Sequence, residues 1–194
     1  MHVDAGRTRE VTPWNLPNLL TATRLILAVF LFALISVQSW IVALAVFLVA
    51  AFTDWLDGYL ARKQGLTSAF GRNFDPLVDK VLIGGAFIFL LPVSKAGLTP
   101  WMVTLVVSRE LIVTGLRSFF ESQSVKFGAD MLGKIKMTLQ CAALTAILVV
   151  LAMPSEHALF WDYIQTGLIW AMLVATAVSG LQYILKALWL MKPQ

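Results

Sequence analysis

The chain has 194 residues, of which 59% are hydrophobic and only 13% charged, with a formal net charge of +4. Its mean hydropathy is +0.79. A soluble globular domain is nearer half apolar and about a quarter charged, so an ordinary soluble domain is excluded. The modest basicity fits membrane-flanking loops better than a nucleic-acid surface.

The apolar residues fall in runs long enough to cross a bilayer, which takes roughly 20 residues each. The reading is an all-α polytopic membrane protein forming a single domain over residues 1–194, with 1–15 as a juxtamembrane segment. Residues 1–15 lack a basic region running directly into an apolar stretch and a small-residue cleavage site, so the first span is expected to be an uncleaved anchor. The piece Thr12 to Asn18 is too short and polar to span and is expected along the interface.

Six spans are predicted: Leu16 to Val37, Ile41 to Arg62, Asp75 to Val93, Pro100 to Phe120, Met131 to Met153, and Phe160 to Leu190. Pro92 and Pro154 mark span ends. Thr99-Pro100 reads as a helix start with proline in the first turn. Gly84 and Gly85 inside the third span predict a close helix contact. The lone Cys141 lies in an apolar run and reads as packing; one cysteine allows no disulfide within the chain.

Loop charge sets the expected orientation. Arg7, Arg9, Arg62, Lys63, Arg72, Arg117, Lys126, Lys134, Lys136, Lys186 and Lys192 belong to one side, with Lys80 just inside the third span, whereas the other has Lys95 with Glu156 and Asp162. Positive charge alternates loop by loop, so both termini and the Asp54–Asp79 loop are expected to face the cytoplasm. Trp14, Trp40, Trp101, Trp161 and Trp189 fall near span ends, where an aromatic belt would put them. His2, in a polar tail, and His157, on the opposite side, are assigned no role.

The stretch from Asp54 to Lys80 is a polar island between apolar runs. Asp54 and Asp57 are spaced i, i+3; Asp75 and Asp79 are spaced i, i+4. On helices each pair shares a face, and two such faces together make the oxygen cage that hard divalent cations prefer. Intramembrane carboxylates are expensive, and each is a functional-site hypothesis by default. Gly58 and Ala61 share the face of Asp54 and Asp57 and clear it for a ligand, and Arg62 closes it with a fork suited to phosphate. Gly65 and Gly71 flank a short polar turn, and Pro76 is expected in the first turn of the next helix. These parts suit metal-assisted phosphoryl transfer on a lipid substrate, with two cations about 3.5–4 Å apart clamping a pyrophosphate.

The pattern Asp54-x2-Asp57-Gly58-x2-Ala61-Arg62-x8-Gly71-x3-Asp75-x3-Asp79 resembles the signature of the CDP-alcohol phosphatidyltransferase family at every defined position. Pro17-Asn18-Leu19-Leu20-Thr21-x2-Arg24, Ser108-Arg109-Glu110-Leu111, Thr114-Gly115-Leu116-Arg117 and Gly133-Lys134-Ile135-Lys136 are similar to the bacterial branch that makes phosphatidylglycerophosphate. The resemblance implies a six-helix membrane fold, a homodimer, and two divalent cations, Mg²⁺ or Mn²⁺. It implies transfer of the phosphatidyl group of CDP-diacylglycerol to an alcohol, with CMP leaving, at the cytoplasmic face of a bacterial inner membrane. By the motif, Asp54, Asp57 and Asp75 are metal ligands, with Asp54 and Asp75 bridging, and Asp79 touches the second cation and is the general base. Asn18, Thr21, Gly58, Ala61, Arg62, Ser68 and Gly71 belong to the CDP-diacylglycerol site. An ordinary carboxylate is a weak base for an alcohol, so Asp79 suffices only beside a cation that also lowers the hydroxyl's pKa.

Arg109 and Arg117, eight apart, share one helix face; with Arg24, Lys134 and Lys136 they form a basic set suited to a dianionic phosphate. Topological charge for the lysines, and a pairing of Arg109 with Glu110, are the structural alternatives. A phosphorylated acceptor is expected, and sn-glycerol 3-phosphate suits it, giving phosphatidylglycerophosphate and CMP. Inositol phosphate, serine or phosphatidylglycerol are the alternative acceptors. A cation transporter would instead place carboxylates near the midplane in two pseudo-symmetric halves; here they cluster in one half.

Overall fold

The computed structural model describes residues 16–64, 69–123, 131–154 and 158–191, with side chains described for 22–53, 77–123, 131–154 and 160–191. Among the described residues the chain is helical, without strands: α1 Leu16–Ser36, α2 Trp40–Gln64, α3 Ala69–Leu90, α4 Pro100–Ser122, α5 Met131–Ala152 and α6 Ala158–Leu190, with a 3₁₀ turn at Ser94–Ala96. Helices are what apolar runs of this length must form where no water can satisfy the backbone.

The helices pack as a ring. α1 lies between α2 and α3; α2 continues onto α5, α5 onto α6, α6 onto α4, and α4 closes back onto α3. α3 and α5 also touch across the middle. The main core is made of small and aliphatic side chains from all six helices, including Leu31 and Ile35, Ala43 and Phe47, Ala86 and Phe87, Val106, Leu144 and Ile147, and Met172. A second, smaller cluster of Val113, Phe120, Tyr183 and Ala187 joins α4 to α6.

Much of the outer surface is apolar. Ile26, Ile41, Val81, Leu111, Ile135 and Leu181, one from each helix, are exposed together with many other large apolar side chains. That is the reverse of a water-facing surface and is the surface a lipid tail would cover. Met131–Ala152 and Phe160–Leu190 are long and apolar enough to cross a bilayer; the described apolar stretches of α1 and α2, Ala22–Ser36 and Trp40–Thr53, are shorter.

Most boundaries fall within two residues of those expected from the sequence, and α3 is the exception. It begins at Ala69 rather than at Asp75, so Pro76 lies inside the helix and not in its first turn. Proline there removes one intrahelical hydrogen bond, and the helix runs through regardless. Thr99 is extended and Pro100 opens α4, as expected. At the α3–α4 connection Gly97 has φ 66°, a left-handed conformation that side chains resist. Gln165 of α6 donates from Nε2 to the carbonyls of Lys95 and Ala96, at 3.2 and 2.8 Å. A Cβ at Gly97 would stand 3.3 Å from that amide, so glycine serves both the turn and the clamp. The expected close contact in α3 is also present: Gly85 faces the Phe32 ring, which stacks on Phe89 at 4.9 Å. Cys141 packs against the main core.

Candidate active site

A group of buried polar side chains lies on α1, α4, α5 and α6, part-way along the helices. Arg24, Arg109, Lys136, Gln140 and Ser179 are all buried there. Burying so much polarity in an apolar bundle is costly unless each group is paired, and the pairings define the site.

Asp79 on α3 accepts a hydrogen bond from Arg24 Nη1 of α1 at 2.8 Å, and Arg24 is 2% exposed. Asp79 also lines a cavity of about 130 Å³ between α3, α4 and α5, together with Lys80, Glu110, Lys136 and Gln140. A second cavity, of about 240 Å³, shares Lys80, Glu110 and Lys136 with the first and is further lined by Arg109, Thr114, Arg117, Lys134 and Tyr183. Among the described residues lining it, five carry positive charge and Glu110 alone is acidic.

The basic groups are held by a shared counter-ion and by α6. Glu110 accepts from Arg109 Nη1 at 3.2 Å and from Lys136 Nζ. Arg109 Nη2 donates to the Ser179 hydroxyl, and its guanidinium lies 5.5 Å from the centre of the Tyr183 ring. A Cβ on Gly180 would come within 3.1 Å of Arg109 Cγ, so glycine lets the arginine stem lie against α6. Lys80 Nζ donates to Thr114 Oγ1. Arg117 donates to the Tyr183 hydroxyl at a long 3.4 Å, and Lys134 is exposed. One carboxylate against five cations leaves a field that favours a multiply charged anion, and the arginine forks can hold it bidentately.

Of the basic residues expected from the sequence, the structure brings Arg109, Arg117, Lys134 and Lys136 to one cavity. Arg24 pairs with Asp79, which lines the smaller cavity. The pairing of Arg109 with Glu110, set down as a structural alternative, coexists with cavity lining. Lys80, Tyr183, Ser179 and Gln140 were not singled out from the sequence. A polar residue such as Gln140 in a membrane span was a usable signal; the contacts of Tyr183 and Ser179 with residues some 70 positions away were not visible in any local pattern.

Ser68 lies outside the described residues, as do the side chains of Asn18, Thr21, Asp54, Asp57, Gly58, Ala61, Arg62, Gly71 and Asp75. Their backbones other than that of Ser68 are helical: α2 carries Asp54 and Asp57 three apart, and α3 carries Asp75 and Asp79 four apart, so each pair shares a helix face. Among the described residues no group of three or more histidine, cysteine or carboxylate side chains could hold a metal. The donor chemistry nonetheless fits hard divalent cations, being carboxylate throughout, and Asp79, the one of the four with a described side chain, stands at a cavity wall.

A family model described as CDP-alcohol phosphatidyltransferase matches residues 14–182. A protein of Bacillus subtilis named CDP-diacylglycerol–glycerol-3-phosphate 3-phosphatidyltransferase is 35% identical over 188 residues, covering 89% of this chain and 95% of the relative. A protein of Rickettsia felis with the same name is 34% identical over 172 residues, covering 87% and 93%. A Mycobacterium tuberculosis protein named probable phosphatidylglycerophosphate synthase is 37% identical over 191 residues, covering 95% and 85%. The match runs from the start of α1 almost to the end of α6, taking in every helix that lines the two cavities: the chain belongs to the CDP-alcohol phosphatidyltransferase family and is an enzyme of it.

Proposed function

We propose that the chain transfers the phosphatidyl group of CDP-diacylglycerol to sn-glycerol 3-phosphate, giving phosphatidylglycerophosphate and CMP. The observation that carries this reading is the pair of adjoining cavities, which share Lys80, Glu110 and Lys136 as lining: Asp79 lines one, and Arg109, Arg117 and Lys134 line the other. An acceptor with a hydroxyl near one end and a dianionic phosphate at the other matches that arrangement. The names of the relatives point to the same reaction.

In this reading the acceptor phosphate is held by Arg109, Arg117, Lys134 and Lys136, with Lys80 added from the structure. Arg24 is reassigned from the acceptor to Asp79, whose carboxylate it orients. Asp79 takes the proton of the attacking hydroxyl. The bond from the hydroxyl oxygen to the phosphatidyl phosphorus forms as the pyrophosphate bond to CMP breaks. Asn18, Thr21, Gly58, Ala61, Arg62, Ser68 and Gly71 bind the lipid nucleotide. Asp54, Asp57, Asp75 and Asp79 would hold two divalent cations, Mg²⁺ or Mn²⁺, which when bound offset pyrophosphate charge and lower the pKa of the attacking hydroxyl. The same reading takes the chain as a single catalytic domain with six spans, both termini and the site on the cytoplasmic side of a bacterial inner membrane, working as a homodimer.

The test is CMP release from CDP-diacylglycerol in detergent with Mg²⁺ or Mn²⁺, comparing sn-glycerol 3-phosphate, inositol phosphate, inositol, serine and phosphatidylglycerol. Release with glycerol 3-phosphate alone, lost on chelation and restored by the cation, is expected. Release with another acceptor instead overturns the reading of the basic cavity, and release that survives chelation overturns the metal assignment.

A further inference from the structure

Gln140 is a buried polar side chain that the proposed reaction leaves unused. It is 2% exposed and lines the smaller cavity beside Asp79, Lys80, Glu110 and Lys136. Its Nε2 has no hydrogen-bond partner among the described residues. Leaving such a group unsatisfied costs about 1–3 kcal/mol, and next to Leu139 and Ala143 an apolar side chain would incur no such cost. At about 130 Å³ the cavity far exceeds the roughly 10–15 Å³ that one water needs.

Position gives the group its use. Asp79 and Gln140 line the smaller cavity and not the larger, whereas Lys80, Glu110 and Lys136 line both. An acceptor with its phosphate among the arginines and its attacking hydroxyl at Asp79 therefore reaches into the compartment that Gln140 lines. Resting on the acceptor reading above, we infer that the Gln140 side-chain amide hydrogen-bonds the secondary hydroxyl adjacent to the attacking one and selects for a vicinal-diol phosphate. A hydroxyl both donates and accepts, so either end of the amide serves. An acceptor lacking that hydroxyl would leave the buried amide unpaired, and that is the condition under which a site rejects an analogue strongly.

The experiment compares sn-glycerol 3-phosphate with 3-hydroxypropyl phosphate, which lacks only the secondary hydroxyl. The full-length protein in detergent is used, with CDP-diacylglycerol and Mg²⁺. The wild-type protein is expected to favour glycerol 3-phosphate by roughly ten- to hundredfold in kcat/KM. Gln140→Leu is expected to bring that ratio below about three, by losing glycerol 3-phosphate rather than by gaining the analogue. Equal wild-type use of both acceptors overturns the inference without any variant, so the test survives a Gln140→Leu chain that fails to fold; Gln140→Met, closer in shape, then replaces it. A variant that loses both acceptors in proportion also overturns it, because a purely structural amide would behave that way. Turnover with glycerol 3-phosphate but without discrimination removes this inference alone. Turnover only with a different acceptor removes the acceptor reading as well.

Discussion

Replacing Arg117 with alanine separates acceptor binding from everything else. Among the basic groups of the larger cavity, Arg109 and Lys136 share Glu110, so removing either one changes a buried ion pair as well as the cavity. Arg117 has no carboxylate partner among the described residues; it makes the long 3.4 Å bond to the Tyr183 hydroxyl. Its charge is therefore available to a ligand, and its loss strands no carboxylate among the described residues. A hydrogen bond to a charged group contributes about 1.5–3 kcal/mol, which at 1.4 kcal/mol per tenfold is roughly a 10- to 150-fold rise in acceptor KM. The KM for CDP-diacylglycerol should stay within about twofold, and stability should fall by less than about 1 kcal/mol, because at 3.4 Å the bond to the Tyr183 hydroxyl is longer than the usual N–H···O range. Arg117→Lys should recover part of the loss, since it restores the charge and not the planar fork. The assay is CMP release with each substrate varied in turn, beside thermal unfolding in detergent. Equal rises in both KM values, or none, would refute the assignment of this cavity to the acceptor.

Asp79→Asn should nearly abolish turnover while CDP-diacylglycerol binding, measured by equilibrium titration, stays mostly intact; substantial residual turnover removes Asp79 as the base. Glu110→Gln strips the shared counter-ion from Arg109 and Lys136, and breaking a buried pair costs about 3–5 kcal/mol. The midpoint of thermal unfolding should drop by roughly 6 °C or more, and added glycerol 3-phosphate should raise it further than it does for the wild-type chain; an unchanged midpoint would show that the cations do not depend on Glu110. In Gly85→Ala the new Cβ would fall 2.3 Å from Phe32 Cζ, against a ring already stacked on Phe89. Overpacking of this kind costs about 1–3 kcal/mol, and Phe32→Leu in the same chain should relieve it, both read from thermal unfolding.

Apolar run length was enough to place five of the six helices closely, because in a low-dielectric setting the backbone has few alternatives to a helix. The α3 start was missed for a definite reason. The polar residues before Asp75 and the proline after it read as a loop, yet proline costs a helix one hydrogen bond and need not end it. The motif spacing carried Asp79, and the basic residues of α4 and α5 were legible as charges placed where lipid should be. What those charges touch was not legible. Arg24 reads like the other arginines, but its partner is 55 residues away on α3, and only the packing of α1 on α3 decides between a carboxylate and a phosphate. Lys80 resembled a topological charge at a helix end. Once α3 is extended back to Ala69, Lys80 lies well inside the helix and reaches Thr114 on α4.

The clamp between Gln165 and the carbonyls of Lys95 and Ala96 acts at a distance. α6 is one unbroken helix, and along it that clamp is the zero mark. At 1.5 Å per residue, Ser179 and Tyr183 stand about 21 and 27 Å further along. Those two residues set the height of Arg109. Any slip of the zero mark is carried undiminished to the far end, where an error of about 1 Å is enough to spoil a bidentate grip on phosphate. The connection between α3 and α4, on the face of the bundle remote from the chemistry, is therefore a calibration point for it.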